Sequence, residues 1–194
     1  MLFKDFEETK KVYHIVALYD LEPALKHGIQ YNNKITYNTK YKGFHSLIEK
    51  EKTKNIPAWV RRKKAIFASM NYDISFQFHP NSVILGLKID SERCWVANEN
   101  LANQIYAPFI MKDIMGFNNA VHYIEGEGKE LLKKYWETSL SFEENLLERR
   151  DLQKDYNAEV LVLHDIPPEN IEIEYIVSGH EILKAEQWEK KFCK

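Results

Sequence analysis

The hexapeptide Ala158–Leu163, AEVLVL, constrains the fold more than any other stretch of the chain. Side chains alternate across a strand, so Ala158, Val160 and Val162 share one face and Leu161 and Leu163 the other. A strand apolar on both faces is buried on both, which demands covering layers above and below a sheet. Glu159 is the exception. A carboxylate near the start of such a strand has to be paired, stand at the sheet's rim, or line a cleft. The residue is therefore a candidate functional group as well as a candidate structural ion-pair member.

A second polar intrusion occurs in Val12–Leu18, VYHIVAL, a β-branched and aromatic run of strand length. Here His14 shares a face with Val12 and Val16, opposite Tyr13 and Ile15. A neutral imidazole offers one donor and one acceptor, which suits a core hydrogen bond or a ligand hydroxyl. His14 and Glu159 are expected to face one cleft from central strands. After the strand, Asp20 stands at an N-cap position, Pro23 is tolerated in a first helical turn, and Gly28 terminates a short helix carrying Leu21, Ala24 and Leu25.

The remaining pattern alternates helices and strands. Phe44, Leu47 and Ile48 predict a helix that continues through the following basic segment and ends before Pro57. Strands are expected at Ala65–Ser69, Val83–Ile89, Cys94–Ala97 and Ile171–Val177, and helices at Asn98–Ile105 and Lys129–Thr138. Ser141 and Glu144 form a capping box that opens a helix with Leu146 and Leu147 on one face. His164–Glu169 reads as a turn and Glu181–Lys191 as a final helix. No repeat or Gly/Ser linker divides the chain, so residues 1–194 are expected to form one α+β domain.

Composition bounds the function. With 44% hydrophobic and 29% charged residues the chain is of ordinary globular type. A net charge of -2 excludes a globally basic polyanion binder. Two cysteines, Cys94 and Cys193, provide neither a disulfide framework nor metal-ligand spacing, and no metal is expected. No apolar run approaches the roughly 20 residues that cross a bilayer, and residues 1–12 are mostly charged or polar. A cytoplasmic protein without membrane partners is the expectation. Charge is uneven, however: Lys50–Lys64 holds seven basic residues and one acidic. A basic run is usually a solvated face, but one interrupted by Trp59 can also meet phosphates and stack on a base.

P-loop, dinucleotide-binding, zincin and nucleophile-elbow motifs are absent. What the chain does show is a set of three blocks. VYHIVALYDLEPALKHGI resembles the opening strand and helix of ADP-ribosyltransferase-like proteins, closest in pattern to the bacterial toxins that ADP-ribosylate DNA. AEVLVLHDIPPENI resembles their late strand and the proline-bearing turn after it, and AIFASMNY the second strand of their NAD-binding cleft. The blocks occur in the family's order. Val16 stands where those toxins carry a hydroxyl, and Asp20 where they carry Asn.

The resemblance implies a split, mixed β-sheet flanked by helices, with NAD as co-substrate in the central cleft. It assigns His14 to a ribose hydroxyl, the Ile15 backbone to the nicotinamide amide, and Ser69 to a place beside the nicotinamide. Glu159 would bind the ribose 2′-hydroxyl and act as the catalytic carboxylate. Arg61 or Arg62 would approach the cofactor phosphates, and Trp59, Lys63 and Lys64 the acceptor, a nucleic acid or a protein. An antitoxin or immunity protein is the further partner that such a toxin implies. Two other functions share this frame: a non-catalytic module that binds NAD or another nucleotide, and an RNA 2′-phosphotransferase-like enzyme. The phosphotransferase would need several Arg and His residues in the cleft.

Overall fold

A computed structural model describes residues 3–31, 39–72, 78–179 and 181–193. Among the described residues eight strands, β1 (Lys11–Ala17), β2 (Ile66–Ser69), β3 (Ser82–Lys88), β4 (Cys94–Asn98), β5 (Leu140–Ser141), β6 (Ala158–Val162), β7 (Ile171–Ser178) and β8 (Glu181–Leu183), form one sheet. Their order is β5-β4-β6-β2-β1-β3-β7-β8. Every pairing among the described strands is antiparallel, where the resemblance implied a mixed sheet. The α-helices are α1 (Phe6–Thr9), α2 (Leu21–His27), α3 (Thr39–Lys50), α4 (Glu99–Met111), α5 (Asn119–Tyr123), α6 (Lys129–Glu137), α7 (Phe142–Glu148) and α8 (Ala185–Phe192). No helix among the described residues is long and apolar enough to cross a membrane.

As its apolar faces require, β6 is buried throughout. On one side Val160 and Val162 join Ala24 of α2, Phe142 of α7 and Ile166. On the other, Leu161 and Leu163 pack with Phe44 and Ile48 of α3, Leu101 and Ile105 of α4, and Leu132, Tyr135 and Trp136 of α6. The Trp136 indole, fully buried, donates to the Ile48 carbonyl at 2.7 Å and fixes α6 against α3. A buried indole N–H needs such a partner.

The sheet is continuous but has a seam. The β1–β3 ladder runs over seven residue pairs, from Lys11↔Lys88 to Ala17↔Ser82, whereas β1 meets β2 at Tyr13↔Ser69 alone. Outside the sheet a second tie spans the same divide. Gly28 ends α2 at φ +75°, and Ile29 then exchanges backbone hydrogen bonds with Ile166 at 2.8 and 2.9 Å. A Cβ on Gly28 would lie 2.3 Å from the Ile166 carbonyl oxygen, so the position requires glycine for its conformation and for its space.

Several expectations shift by a few residues. Helix α3 ends at Lys50, so Glu51–Arg61 is turns rather than helix. There Lys52 donates to the carbonyls of Pro57 and Val60 at 2.8 and 2.7 Å, closing the loop upon itself. The capping box at Ser141 and Glu144 is present, but Leu147 is 86% exposed and does not share the buried side of α7. The expected C-terminal helix divides into β8 and α8, because Glu181–Leu183 pairs with the end of β7.

Candidate functional site

Glu159 follows Ala158 at the start of β6 and shares its face with Leu161. In the register it lies opposite Ser69 of β2 and Ala97 of β4. Only 4% of the residue is exposed. The chain meets the cost of burying this carboxylate with Arg62, which is equally buried and sits in a short 3-10 turn before β2. Arg62 Nη2 lies 2.8 Å from Glu159 Oε2 and 3.0 Å from Oε1, with Nε at 3.2 Å from Oε1. The Tyr135 hydroxyl, from α6, donates to Oε1 at 2.6 Å.

Arg62 is held on every side. Its Nε also lies 3.0 Å from the Tyr135 oxygen, and its Nη1 donates to Nδ1 of His45 on α3. That bond makes His45 Nδ1 the acceptor and places the ring proton on Nε2. The guanidinium carbon lies 4.7 Å from the Phe67 ring centroid, while the His45 ring stacks on Phe67 at 5.1 Å. Burial works against the charged guanidinium, but the Glu159 charge and Tyr135 outweigh it and raise its proton affinity. Burial and the same carboxylate hold the Tyr135 phenol well above its usual range. All three guanidinium nitrogens are thus engaged inside the protein.

This network forms one wall of a cavity of about 600 Å³, a volume typical of small-molecule sites. His14, Ile15, Phe67 and Ser69 line it from β1 and β2, Arg62 and Glu159 from the ion pair, and Glu99, Asn103 and Tyr106 from α4. His14 and Glu159 therefore meet in one space, as expected, but not because they share a face. Strand alternation gives them opposite parity. The parting of β1 from β2 after Tyr13 resolves this, for the His14 ring fills the gap and its Nδ1 lies 2.6 Å from the Phe67 carbonyl oxygen. A carbonyl accepts, so Nδ1 carries the proton and Nε2 is the acceptor position. Tyr41 and Tyr106 stack at 5.7 Å along the same wall, and their hydrogen bond pushes the Tyr106 phenol up to about 12.

The basic segment divides between two places. Arg62 enters the cavity, while Trp59, Arg61 and Lys64 line a separate recess with Tyr31 and Arg93. Trp59 is 45% exposed and packs edge-on against Trp95 at 6.0 Å. Lys63 belongs to neither recess, since its Nζ lies 3.5 Å from Glu49 and its backbone N–H donates to the same carboxylate at 3.0 Å. Arg62 is the single guanidinium or ammonium group among the described residues lining the cavity. No group of His, Cys, Asp and Glu among the described residues is arranged to hold a metal ion.

Sequence reasoning missed Tyr135, His45 and Glu99. Tyr135 lies in an apolar helix face beside Leu132 and Trp136, where its hydroxyl was the available signal, since a buried phenol needs a partner. Glu99 follows an N-cap asparagine and looks like an ordinary first-turn acid. No family model matches the sequence, and no curated protein and no solved structure matches it either.

Proposed function

We propose that the chain is a mono-ADP-ribosyltransferase that cleaves the nicotinamide–ribose bond of NAD and passes ADP-ribose to a macromolecular acceptor, a nucleic acid or a protein. The observation that carries this reading is the meeting of His14, Ser69 and Glu159, from three adjacent strands, in one cavity of about 600 Å³. The resemblance of the three sequence blocks supports the same roles.

The donor set fits the chemistry. His14 Nε2 accepts a ribose hydroxyl, the Ile15 backbone pairs with the nicotinamide amide, and Ser69 orients the leaving group. Breaking the bond to nicotinamide passes through an oxocarbenium-like state, as glycoside hydrolysis does. Glu159 stabilises that charge from a site where water is excluded. Arg62 and Tyr135 hold the carboxylate in place, so much of the gain is positioning. Since the Arg62 nitrogens are committed to Glu159, Tyr135 and His45, Arg62 acts on the carboxylate rather than on the cofactor phosphates. The same commitment disfavours the phosphotransferase reading, which asks for cleft arginines directed at a phosphate.

One observation favours a second reading. Glu159 already accepts four hydrogen bonds, as expected of a structural ion pair in a module that binds NAD without turning it over. Incubation with NAD labelled in the ADP-ribose moiety, alongside DNA, RNA and lysate protein, separates the two. Transfer of label with release of nicotinamide supports the transferase. Saturable NAD binding without nicotinamide release supports the module, and no binding at all removes both.

A further inference from the structure

Helix α4 turns two different faces to its surroundings. Leu101, Ala102 and Ile105 are buried against the sheet, while Glu99, Asn103 and Tyr106, each about one turn from the next, line the cavity. Among the described residues, two carboxylates line the cavity, and they are in opposite condition. An ionised carboxylate offers about four lone-pair sites. Those of Glu159 take Arg62 Nε, Arg62 Nη2 twice, and the Tyr135 hydroxyl, so a proton could arrive there only by displacing one of them.

Glu99 makes no ion pair among the described residues. Its Oε2 accepts from the Asn157 side chain at 2.9 Å, and Asn103 is its other amide partner. Burial pushes the Glu99 carboxyl up, and the Glu159 charge pushes it further. Arg62 and the two amides oppose this, but the carboxyl stays above its usual value. Such a group is a better proton acceptor near neutrality than an ordinary glutamate. The charge count agrees. Among the described lining residues Arg62 and Glu159 cancel, so an ionised Glu99 leaves one net negative charge to face a developing cation.

We propose that Glu99 is the general base of the transfer step, taking the proton from the acceptor group that attacks the ribose. This assignment rests on reading the cavity as an NAD-cleaving site. As the carbon–nitrogen bond to nicotinamide breaks, its electron pair leaves with neutral nicotinamide. The acceptor's N–H or O–H group forms the new bond to the same carbon, and its proton passes to the Glu99 carboxylate and then to solvent. Glu159 stays ion-paired throughout and stabilises charge. The labour is divided between two carboxylates.

The test is the pH profile of nicotinamide release from NAD, measured on the full chain with single-stranded DNA, RNA and lysate protein as acceptor probes. Glu99 faces Glu159 from β6, Arg62 from the turn before β2, Asn157, and Asn103 on its own helix. Tyr72 also senses it, with burial as the main cause of a phenol pushed up to about 12. His14 and His45 line the cavity too, and any limb of theirs would persist in every Glu99 variant.

For Glu99→Gln we expect kcat to fall by roughly 100-fold or more, with KM for NAD and Tm unchanged and the Glu99-dependent acid limb lost. Gln can still accept from Asn157, so folding is preserved. Glu99→Asp should retain the limb, and added formate should restore turnover to Glu99→Ala. A Glu99→Gln variant at the wild-type rate with the same limb overturns the proposal. So does a slower variant that keeps the limb and gives no formate rescue upon truncation, which marks a structural role. If the wild-type chain itself releases no nicotinamide, the transferase reading fails, and this assignment with it.

Discussion

Two ionic networks occupy one face of the same sheet in contrasting surroundings. Around Arg62 and Glu159 the side chains are 5% and 6% exposed, and every charged atom has a fixed partner. On the far side of the seam, Lys11 bridges Glu172 at 2.5 Å and Glu174 at 2.8 Å, with Lys88 joining Glu172 at 3.2 Å. There Glu172 and Lys88 are 46% and 53% exposed, so water competes for the bonds to Glu172, while Lys11 itself is 17% exposed. Similar chemistry thus acts as surface trim on one half of the sheet and as an obligation on the other. A buried pair adds little net stability over an apolar equivalent, yet loss of either partner is severe.

The sharpest way to break this contrast is to remove one buried partner. Arg62→Met leaves Glu159 buried without a counter-charge and should cost about 3–5 kcal/mol, read as a lower urea midpoint. The double variant Arg62→Met, Glu159→Leu should regain most of that loss. If the single variant costs no more than a surface substitution, the two networks do not differ as described.

Glu159→Gln should slow nicotinamide release by roughly 100- to 1000-fold, about 3–4 kcal/mol, through loss of charge at the transition state. The swap is nearly isosteric, and the sequence alone suggests that the fold would survive it intact. Burial of Arg62 changes that expectation, so Tm should fall as well. Unchanged activity per folded molecule would make the pair purely structural.

Gly28→Ala strikes the attachment of one network and spares the other. Forcing a Cβ against the Ile166 carbonyl at positive φ should cost about 1–3 kcal/mol and weaken NAD binding, measured by calorimetry and thermal melts. NAD affinity equal to wild type would show that the Ile29–Ile166 tie has no influence on the cavity.

Lys11→Met should cost the least, about 1 kcal/mol or below, and the loss should shrink with added salt. Its pH dependence follows from two shifts. Burial pulls the Lys11 ammonium down, but hydrogen bonds to Glu172 and Glu174 outweigh it and leave it raised. The bonds from Lys11 and Lys88 hold the Glu172 carboxyl below its usual value. The Glu172 contribution is therefore present above the ordinary carboxylate range and lost as pH falls through the depressed value. The Lys11 contribution is present below the ordinary lysine range and lost as pH rises through the raised value. Between these ranges the difference between variant and wild type should stay flat, which denaturation at pH 6, 7 and 8 checks.

The sequence made some of this legible because the signals are local. Apolar faces on both sides of Ala158–Leu163 specify a central strand, and Glu159 is conspicuous within it. Gly28 marks the helix end for the same reason, since its backbone requirement acts over a few residues. What stayed hidden is set by approach between distant elements. Arg61 and Arg62 are indistinguishable in the string, and only the extended backbone at Arg61 followed by a tight turn sends one to each recess. His14 was expected on the face opposite Ile15, because alternation assumes an intact ladder, and the seam suspends that rule. Leu147 misled by the opposite route: it matches the helical period, yet no neighbouring element covers it.

The single pair Tyr13↔Ser69 and the bridge Ile29↔Ile166 together act as a gauge. Both span the line where the halves of the sheet part. The separation of the two strands along this line is therefore held by backbone bonds rather than by side chains, which could yield. A molecule too wide for the gap would have to sever a backbone tie in order to enter, whereas one of the right width meets an opening already cut to size. Selection by dimension would thus precede any recognition by chemistry.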